Sequence, residues 1–337
     1  MKSQHHICLT ASEIGGLWTT YINDTFSSCV LSYFLNIVED TQIKPAIEYA
    51  FDISEQHIRK LTSIFEDENF PVPQGFTDDD VNRNAKRLYS DHFYLYYLKN
   101  MSKVGLATYS LAFSMCSRSD IRAFFHEALT RTVALDQKVT SLLQSKGLYI
   151  RPPYISVPNH IDFVESKSFL SGGFFGFGEK RPLTSIEIAH LFENSQTNSL
   201  GEALLLGFSQ VVRSNEIRKY ITRGVEISRK HIEYFDKTLK DDNLPVPMTW
   251  ATDVTDSVEP PFSDKLILFH VSVLVAAGTG NYGVAASASP RKDVAMNYVR
   301  LAAEIARYAE DGAKLMIEHG WLEEPPQALN RKELTTR

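Results

Sequence analysis

Several features that define common protein classes are missing from this sequence of 337 residues. It has no C-x-x-C pair, and only three widely spaced cysteines occur: Cys8, Cys29 and Cys116. This spacing excludes a disulfide framework and predicts reduced, buried residues of a cytosolic protein. The N-terminus lacks the apolar core of a secretory signal. No basic block stands out and the net charge is −6, so nucleic acid is not an expected partner.

Charge is also absent from one long stretch, residues 266–288, which is long enough to cross a membrane at about 20 residues per span. The stretch contains His270, Asn281 and three glycines, and no cluster of Lys or Arg flanks it. These features favour a helix buried inside a bundle, and no membrane is expected as a partner.

The same stretch contains Gly278, Gly280 and Gly283, the spacing of a dinucleotide-binding turn. That turn needs a preceding strand and a surrounding parallel sheet. Only a helical pattern follows these glycines, so a dinucleotide site is not expected. We expect the glycines to mark places where this helix closely approaches another.

The chain repeats itself. Residues 9–73 match residues 183–247 without a gap at an offset of 174, and after a one-residue slip the match resumes to the end of each copy. Apolar residues recur at spacings of three and four, and alternation of period two is absent, which predicts four helices per copy. The expected helix starts include Ser90-Asp91 for the third helix, and Ser119-Asp120 as N-cap of the fourth. The predicted organisation is a first bundle at 1–153, a Gly- and Phe-rich linker at 154–181 and a second bundle at 182–337, with Phe169, Phe174, Phe175 and Phe177 of the linker packing across the two units.

About 20 residues separate the second and third helix of each copy, whereas antiparallel neighbours in a bundle need about 2 to 8. A connection of this length can run along a whole helix and cross to its far end. The sequence therefore predicts an all-α fold of two tandem ferritin-like four-helix bundles, each with a long crossover between helices two and three.

Polar residues lie on the apolar stripe of the second helix in both copies. They are Ser54 and His57 in the first copy and Ser228 and His231 in the second. A buried histidine needs partners, and the direction of the helices indicates which residues share its level. The predicted clusters are Asn198, His231, Asn281 and Glu304 in the second copy, and Asp24, His57 and Tyr109 with Thr108 in the first.

Three interpretations of these clusters remain open. The first is a polar core pair whose hydrogen bonds are satisfied. The second is a site for a single metal ion or small ligand around His231 in the second copy, with His57 and Asp24 as the candidate metal ligands of the first copy. The third is a di-iron oxidase, which is disfavoured because serine occupies the expected glutamate positions Ser54 and Ser228 and too few carboxylates remain.

Several motifs carry a family resemblance: EIAHLFENSQTNSLGEALLLGFSQ, KHIEYFDKTLKDDNLPVPMTW, TDSVEPPFSDKLILFH and AEDGAKLMIEHGWLEEPPQ. Together they resemble the uncharacterised, duplicated helical proteins of endospore-forming Bacillus-type bacteria, a family of unknown function with distant kinship to spore coat protein F and the ferritin-like superfamily. The resemblance covers nearly the whole chain. It implies a tandem ferritin-like bundle and a link to sporulation, but no reaction and no transferable site residue.

The sequence thus predicts a non-enzymatic structural or spore-associated protein. Its alternative is a degenerate metal- or ligand-binding bundle, and no cofactor is expected beyond a single metal ion in that case. Spore coat or other proteins are the expected partners. A monomer or weak homodimer in the cytoplasm or the spore is expected, since the fused copies mimic a dimer.

Overall fold

The computed structural model describes residues 7–171 and 180–335, and helices account for the regular structure in these ranges. No β-strand forms there, only two isolated bridges, so the all-α prediction is confirmed. The helices are α1 (Ala11–Ile37), α2 (Lys44–Asp67), α3 (Asp91–Met115), α4 (Ser119–Ser145), α5 (Ser185–Val211), α6 (Asn215–Asp241), α7 (Asp264–Ala288), α8 (Lys292–Glu318) and a short C-terminal α9 (Arg331–Leu334).

Helices α1–α4 form the first bundle, and hydrogen bonds between helix ends define its topology. Ser12 at the start of α1 donates to the backbone oxygen of Met115 at the end of α3. Arg118, beside the start of α4, pairs with Glu68 at the end of α2. Both contacts require antiparallel neighbours, so α2 and α3 run in the same direction and the predicted crossover is confirmed.

Helices α5–α8 form the second bundle with the same arrangement. Asp264 at the start of α7 accepts hydrogen bonds from the backbone of Arg213 and Ser214, which follow the end of α5. Arg223 near the start of α6 pairs with Asp311 near the end of α8. The two bundles are therefore two copies of one topology, as the sequence repeat predicts.

A glutamate in the first turn of α1 also caps α4. Thr10 and Glu13 form a capping box, in which each side chain binds the backbone N–H of the other. The other oxygen of Glu13 accepts from the backbone N–H groups of Ser117 and Arg118, at 2.9 and 2.8 Å. The N-cap of α4 is therefore Arg118, one residue before the predicted Ser119, because a distant carboxylate replaces the local serine cap.

The two crossovers pair with each other around a pseudo-two-fold axis that exchanges residues 173 positions apart. Val81 bridges Phe262 and Tyr89 bridges Val254, and each bridge maps onto the other under this exchange. This is the self-complementary contact of an isologous dimer, formed inside one chain.

The crossover of each bundle binds the N-cap serine of a helix in the other. The Ser90 hydroxyl, which caps α3, donates to Asp253 at 2.6 Å. Reciprocally, the Ser263 hydroxyl, which caps α7, donates to Asp80 at 2.7 Å. Hydrophobic packing continues across this boundary, since one core cluster extends from the first bundle into the second. In each bundle, the N-cap serine of one helix is therefore held by a carboxylate of the other bundle.

Helix α7 differs from its prediction in its second half. Its first half is buried, at Leu266, Ile267 and Leu268 among others. A Cβ added at Gly280 or Gly283 would have no described atom within 4 Å, and one added at Gly278 would make an ordinary contact with Ile305. The expected close helix approach at these glycines is therefore wrong. By length and composition, α7 is the one helix of the described ranges that could cross a membrane, and 33% of its most apolar 18-residue stretch is buried.

Where it is described, the chain between α4 and α5 has little regular structure apart from a short 3-10 helix, Lys167–Leu170. Phe169 is half-buried under the guanidinium of Arg181, 4.2 Å from the ring centre, while Phe174, Phe175 and Phe177 lie outside the described residues. Of the cysteines, Cys29 and Cys116 are buried as predicted, whereas Cys8 is exposed. The predicted boundaries of the bundles and linker remain predictions.

Candidate functional site

The predicted cluster of the second bundle comes together around His231 on α6, which is fully buried. Its Nδ1 lies 2.9 Å from the hydroxyl of Tyr282 on α7, and this hydroxyl donates to Asn198 on α5 at 3.0 Å. Its Nε2 lies 3.4 Å from Glu304 on α8. Each of the four helices therefore contributes one residue to the network.

Asn281 does not join this network. It is exposed on α7, and the neighbouring Tyr282 takes its place. One residue along a helix turns the side chain by about 100°, so an error of one position moves a residue from the core to the solvent.

Charges around the network are compensated at its solvent side. Lys230 binds Glu304 at 2.7 Å and Arg300 lies 3.9 Å from it. Burial acts to raise the pKa of Glu304, but Lys230 and His231 outweigh it and lower this pKa. Burial lowers the pKa of His231, against the influence of Glu304. Within residues 7–171 and 180–335, no three His, Cys, Asp or Glu side chains are grouped to hold a metal ion.

The predicted pair of the first bundle is also present. His57 Nδ1 lies 3.0 Å from Asp24 Oδ2, and both side chains are buried. Tyr109, the counterpart of Tyr282, touches the His57 ring edge-on without a hydrogen bond, at 5.7 Å between ring centres. Burial raises the pKa of Asp24, and His57 acts against this rise. His57 is thus the side chain that hydrogen-bonds the buried carboxyl of Asp24.

A cavity of about 380 Å³ lies beside this pair, and we call it the axial cavity. It begins where α3 and α7 meet on the pseudo-two-fold axis, between Tyr97 and its counterpart His270, whose Nε2 lies 3.2 Å from the Tyr97 hydroxyl. From there it extends into the first bundle as far as Asp24 and Ser54. Exposed residues such as Thr108 also line it, so it opens to solvent.

Two side chains of this cavity carry buried polar atoms with no hydrogen bond to any described residue. They are Ser54 Oγ and His270 Nδ1. Ser54 lies close enough to Asp24 to act against the rise in its pKa, but not in hydrogen-bond geometry. A third such atom, Nε2 of His57, belongs to the same helix as Ser54, α2. Because buried polar atoms are usually hydrogen-bonded, these atoms indicate that a hydrogen-bonding partner binds beside them.

Larger side chains fill the equivalent space in the second bundle. Ile305 and Tyr308 of α8 stand where the first bundle has Thr132 and Leu135. Tyr308 stacks on Tyr220 at 4.2 Å and occupies the space that a side chain at position 224, a glycine, would need. The cavity therefore extends from the axis into only one of the two bundles.

The histidines and their carboxylate partners were predictable from the sequence, but the cavity was not. The wall residues Thr132 and Leu135 are ordinary residues of a helix stripe, and a cavity depends on the summed volume of several helices. One feature of the sequence does point to the cavity: these two residues are smaller than their counterparts in the second repeat, Ile305 and Tyr308.

The fold and these clusters define a class of protein: a tandem pair of crossover four-helix bundles with a histidine in each core. The family described as "Protein of unknown function (DUF3231)" matches residues 1–161 and again residues 171–334. The chain therefore belongs to the DUF3231 family, and the duplication seen in its sequence is that of two family units.

Among solved structures, the chain is similar to one from Bacillus halodurans C-125, described as a "putative spore coat protein". The two are 18% identical with a TM-score of 0.40, and the match covers 44% of this chain and 98% of the other. No curated protein matches the chain. Membership of the ferritin-like superfamily stays a prediction.

Proposed function

We propose that this protein is a non-enzymatic binding protein that holds a small molecule in the axial cavity. The observation that carries the proposal is the coincidence of an apolar cavity with unpaired, buried polar atoms of Ser54 and His270. An engineered cavity of about 150 Å³ holds benzene, and the axial cavity of about 380 Å³ is more than twice as large. Pockets of this kind, mainly apolar with a few polar groups, are typical of small-molecule sites.

The test is binding of 1-aminoanthracene, an uncharged aromatic probe that fluoresces strongly in apolar surroundings. We expect one molecule to bind per chain. The variant Ala277→Phe, which places a ring in the wall of the cavity on α7, should abolish binding. Val284→Phe on the exposed surface of the same helix is the control and should bind normally. Binding that survives in Ala277→Phe, or no binding by the unaltered protein, would overturn the proposal.

A second candidate is a single metal ion at His231 and Glu304, with Asn198 nearby. One observation favours it. If Tyr282 donates its proton to Asn198, then His231 Nδ1 must donate to Tyr282, which leaves Nε2 of a neutral His231 as a free ligand facing Glu304 Oε2 at 3.4 Å. Elemental analysis of untagged protein purified without chelators tests this candidate. Stoichiometric metal that is lost in His231→Ala but kept in His57→Ala supports it, and metal-free protein overturns it.

A structural role at the spore, with coat proteins as partners, is proposed from the resemblance of the sequence motifs. A location in the cytoplasm or the spore and a monomeric or weakly dimeric state belong to the same proposal. Immunoblotting of fractionated spores and of vegetative cells tests it. Protein found only in vegetative cells would contradict the spore association, and it would leave ligand binding as a separate question.

A further inference from the structure

We infer that the ligand of the axial cavity is an uncharged, mainly apolar alcohol of about 9 to 15 non-hydrogen atoms, whose hydroxyl lies between Asp24 and Ser54. This inference rests on the proposed binding function. It adds the chemical class of the ligand and the place of its polar group. The upper size follows from the cavity volume, which is about two and a half times that of a cavity that holds benzene.

The absence of uncompensated charge around the cavity selects an uncharged ligand. The carboxyl of Asp24 is already paired with His57, and His270 is kept neutral because burial lowers its pKa to about 3. The wall that α7 contributes, including Val273, Leu274 and Ala277, is apolar. A charged ligand would lose its hydration without gaining a counter-ion, which costs several kcal/mol.

The hydrogen-bonding groups at the closed end select a hydroxyl. Ser54 Oγ carries a hydrogen with no described acceptor, and Asp24 can accept further hydrogen bonds because only its Oδ2 is bound, by His57. A ligand O–H can donate to Asp24 while its oxygen accepts from Ser54. An ether can only accept, so it would satisfy Ser54 and leave the carboxyl as it is.

Displacement of 1-aminoanthracene by four compounds with chains of similar length tests the inference. The compounds are 1-octanol, its isomer heptyl methyl ether, octanoate and octylammonium. We expect 1-octanol to displace the probe at a roughly tenfold lower concentration than any of the others, since one additional hydrogen bond contributes up to about a factor of ten. Equal displacement by octanoate or octylammonium would overturn the choice of an uncharged ligand, and equal displacement by the ether would overturn the hydroxyl.

Matched variants locate the hydroxyl. Ser54→Ala should weaken the binding of 1-octanol roughly fivefold, and it should weaken the binding of heptyl methyl ether as well. Ser228→Ala, the equivalent change in the second bundle, should alter the binding of neither compound. Unchanged 1-octanol binding in Ser54→Ala overturns the placement. Failure of 1-aminoanthracene itself to bind overturns the proposed function, whereas binding of the probe without preference for 1-octanol overturns only this inference.

Discussion

Both bundles place a histidine at the same position of their second helix, but they surround it differently. In the second bundle Tyr282 and Glu304 face the two nitrogens of His231, and bulky side chains fill the space around them. In the first bundle His57 binds Asp24 directly, its other nitrogen has no described partner, and a cavity lies beside the pair. The two repeats thus share the histidine, but one is closely packed around it and the other is open.

The difference follows from a few exchanges between equivalent positions. Asp24 corresponds to Asn198, and Arg131, which pairs with Asp52 on the surface, corresponds to Glu304. The first bundle therefore holds its carboxylate inside, next to the histidine, and the second holds it at the edge, where Lys230 reaches it. A buried charge with one partner is more sensitive to change than a partly exposed charge with several.

Removal of the inner carboxylate should have the largest effect. Asp24→Ala should lower the free energy of unfolding by about 3–5 kcal/mol, because it leaves His57 buried without its partner. Asn198→Ala, the equivalent change, should cost only about 1 kcal/mol, the contribution of one neutral hydrogen bond. Urea unfolding of both variants gives the comparison. Equal losses would mean that the two clusters are energetically alike.

A second difference between the repeats is that Tyr97 in the first corresponds to His270 in the second, both at the axis. This difference predicts that the free energy of unfolding depends on pH. Burial lowers the pKa of His270 to about 3, below the ordinary value of about 6.5 that it regains on unfolding. The unfolded chain therefore binds an extra proton below pH 6.5. The stabilisation is complete above that pH and decreases by about 1.4 kcal/mol per pH unit as the pH falls, to roughly 3 kcal/mol lost at pH 4.

Urea unfolding between pH 4 and 8 measures this dependence. His270→Phe should have a flatter profile than the unaltered protein over this range. Tyr97→Phe removes the partner hydroxyl but keeps the titrating ring, and should retain the slope. A His270→Phe profile as steep as that of the unaltered protein would assign the pH dependence to other groups.

The crossover interface predicts a third contrast, at position 207. Position 33 of the first repeat is tyrosine and packs on Phe262, whereas its counterpart Gly207 leaves room for Tyr89. A Cβ at Gly207 would lie 2.5 Å from the Tyr89 hydroxyl and 2.6 Å from its ring. Gly207→Ala should therefore cost about 1–3 kcal/mol through overpacking.

Gly201, six residues earlier in α5, is the matched control for this change. It has no described atom within 4 Å of a Cβ, so Gly201→Ala should stabilise the protein by up to about 1 kcal/mol through helix propensity. Combining Gly207→Ala with Tyr89→Leu should cost less than the sum of the single changes. A stabilising Gly207→Ala would show that the interface can open without loss.

The smallest expected effect converts the first bundle toward the second. Thr132→Ile should change the free energy of unfolding by about 1 kcal/mol or less, because the hydroxyl that it removes donates only to the backbone oxygen of Ala128 and the larger side chain enters the cavity. It should also weaken 1-aminoanthracene binding. The reverse change, Ile305→Thr, should cost about 1–2 kcal/mol through lost packing and a buried hydroxyl. Thermal unfolding and probe titration measure both. Unchanged probe binding in Thr132→Ile would show that the probe does not occupy the space beside Thr132.

Much of the fold was predictable because it depends on local pattern and on length. The repeat gave the tandem architecture, the spacing of apolar residues gave eight long helices, and the long connections gave the crossovers. The pairs His57 with Asp24 and His231 with Glu304 followed from helix direction. The placement of Asn281 in the His231 cluster was wrong, because the level of a residue along the bundle is easier to infer from the sequence than the side of the helix that it occupies.

Other features depend on contacts between distant parts of the chain. The cap of α4 by Glu13 and the reciprocal caps at Ser90 and Ser263 join segments that no local pattern connects. The axial cavity depends on packing volumes at an interface of two bundles. These features become visible only when the helices are placed in space.

The reciprocal crossovers also constrain how the chain is made on the ribosome. The hydroxyl of Ser90, which caps α3, donates to Asp253, and this residue is added 163 residues later. The first unit therefore leaves the ribosome with its crossover edge uncovered, and the hydroxyl of Tyr89 is made before Leu204 of α5, to whose backbone oxygen it donates. Completion of the first unit waits for the translation of the second, so the gene duplication turned an encounter between two molecules into a step in the synthesis of one.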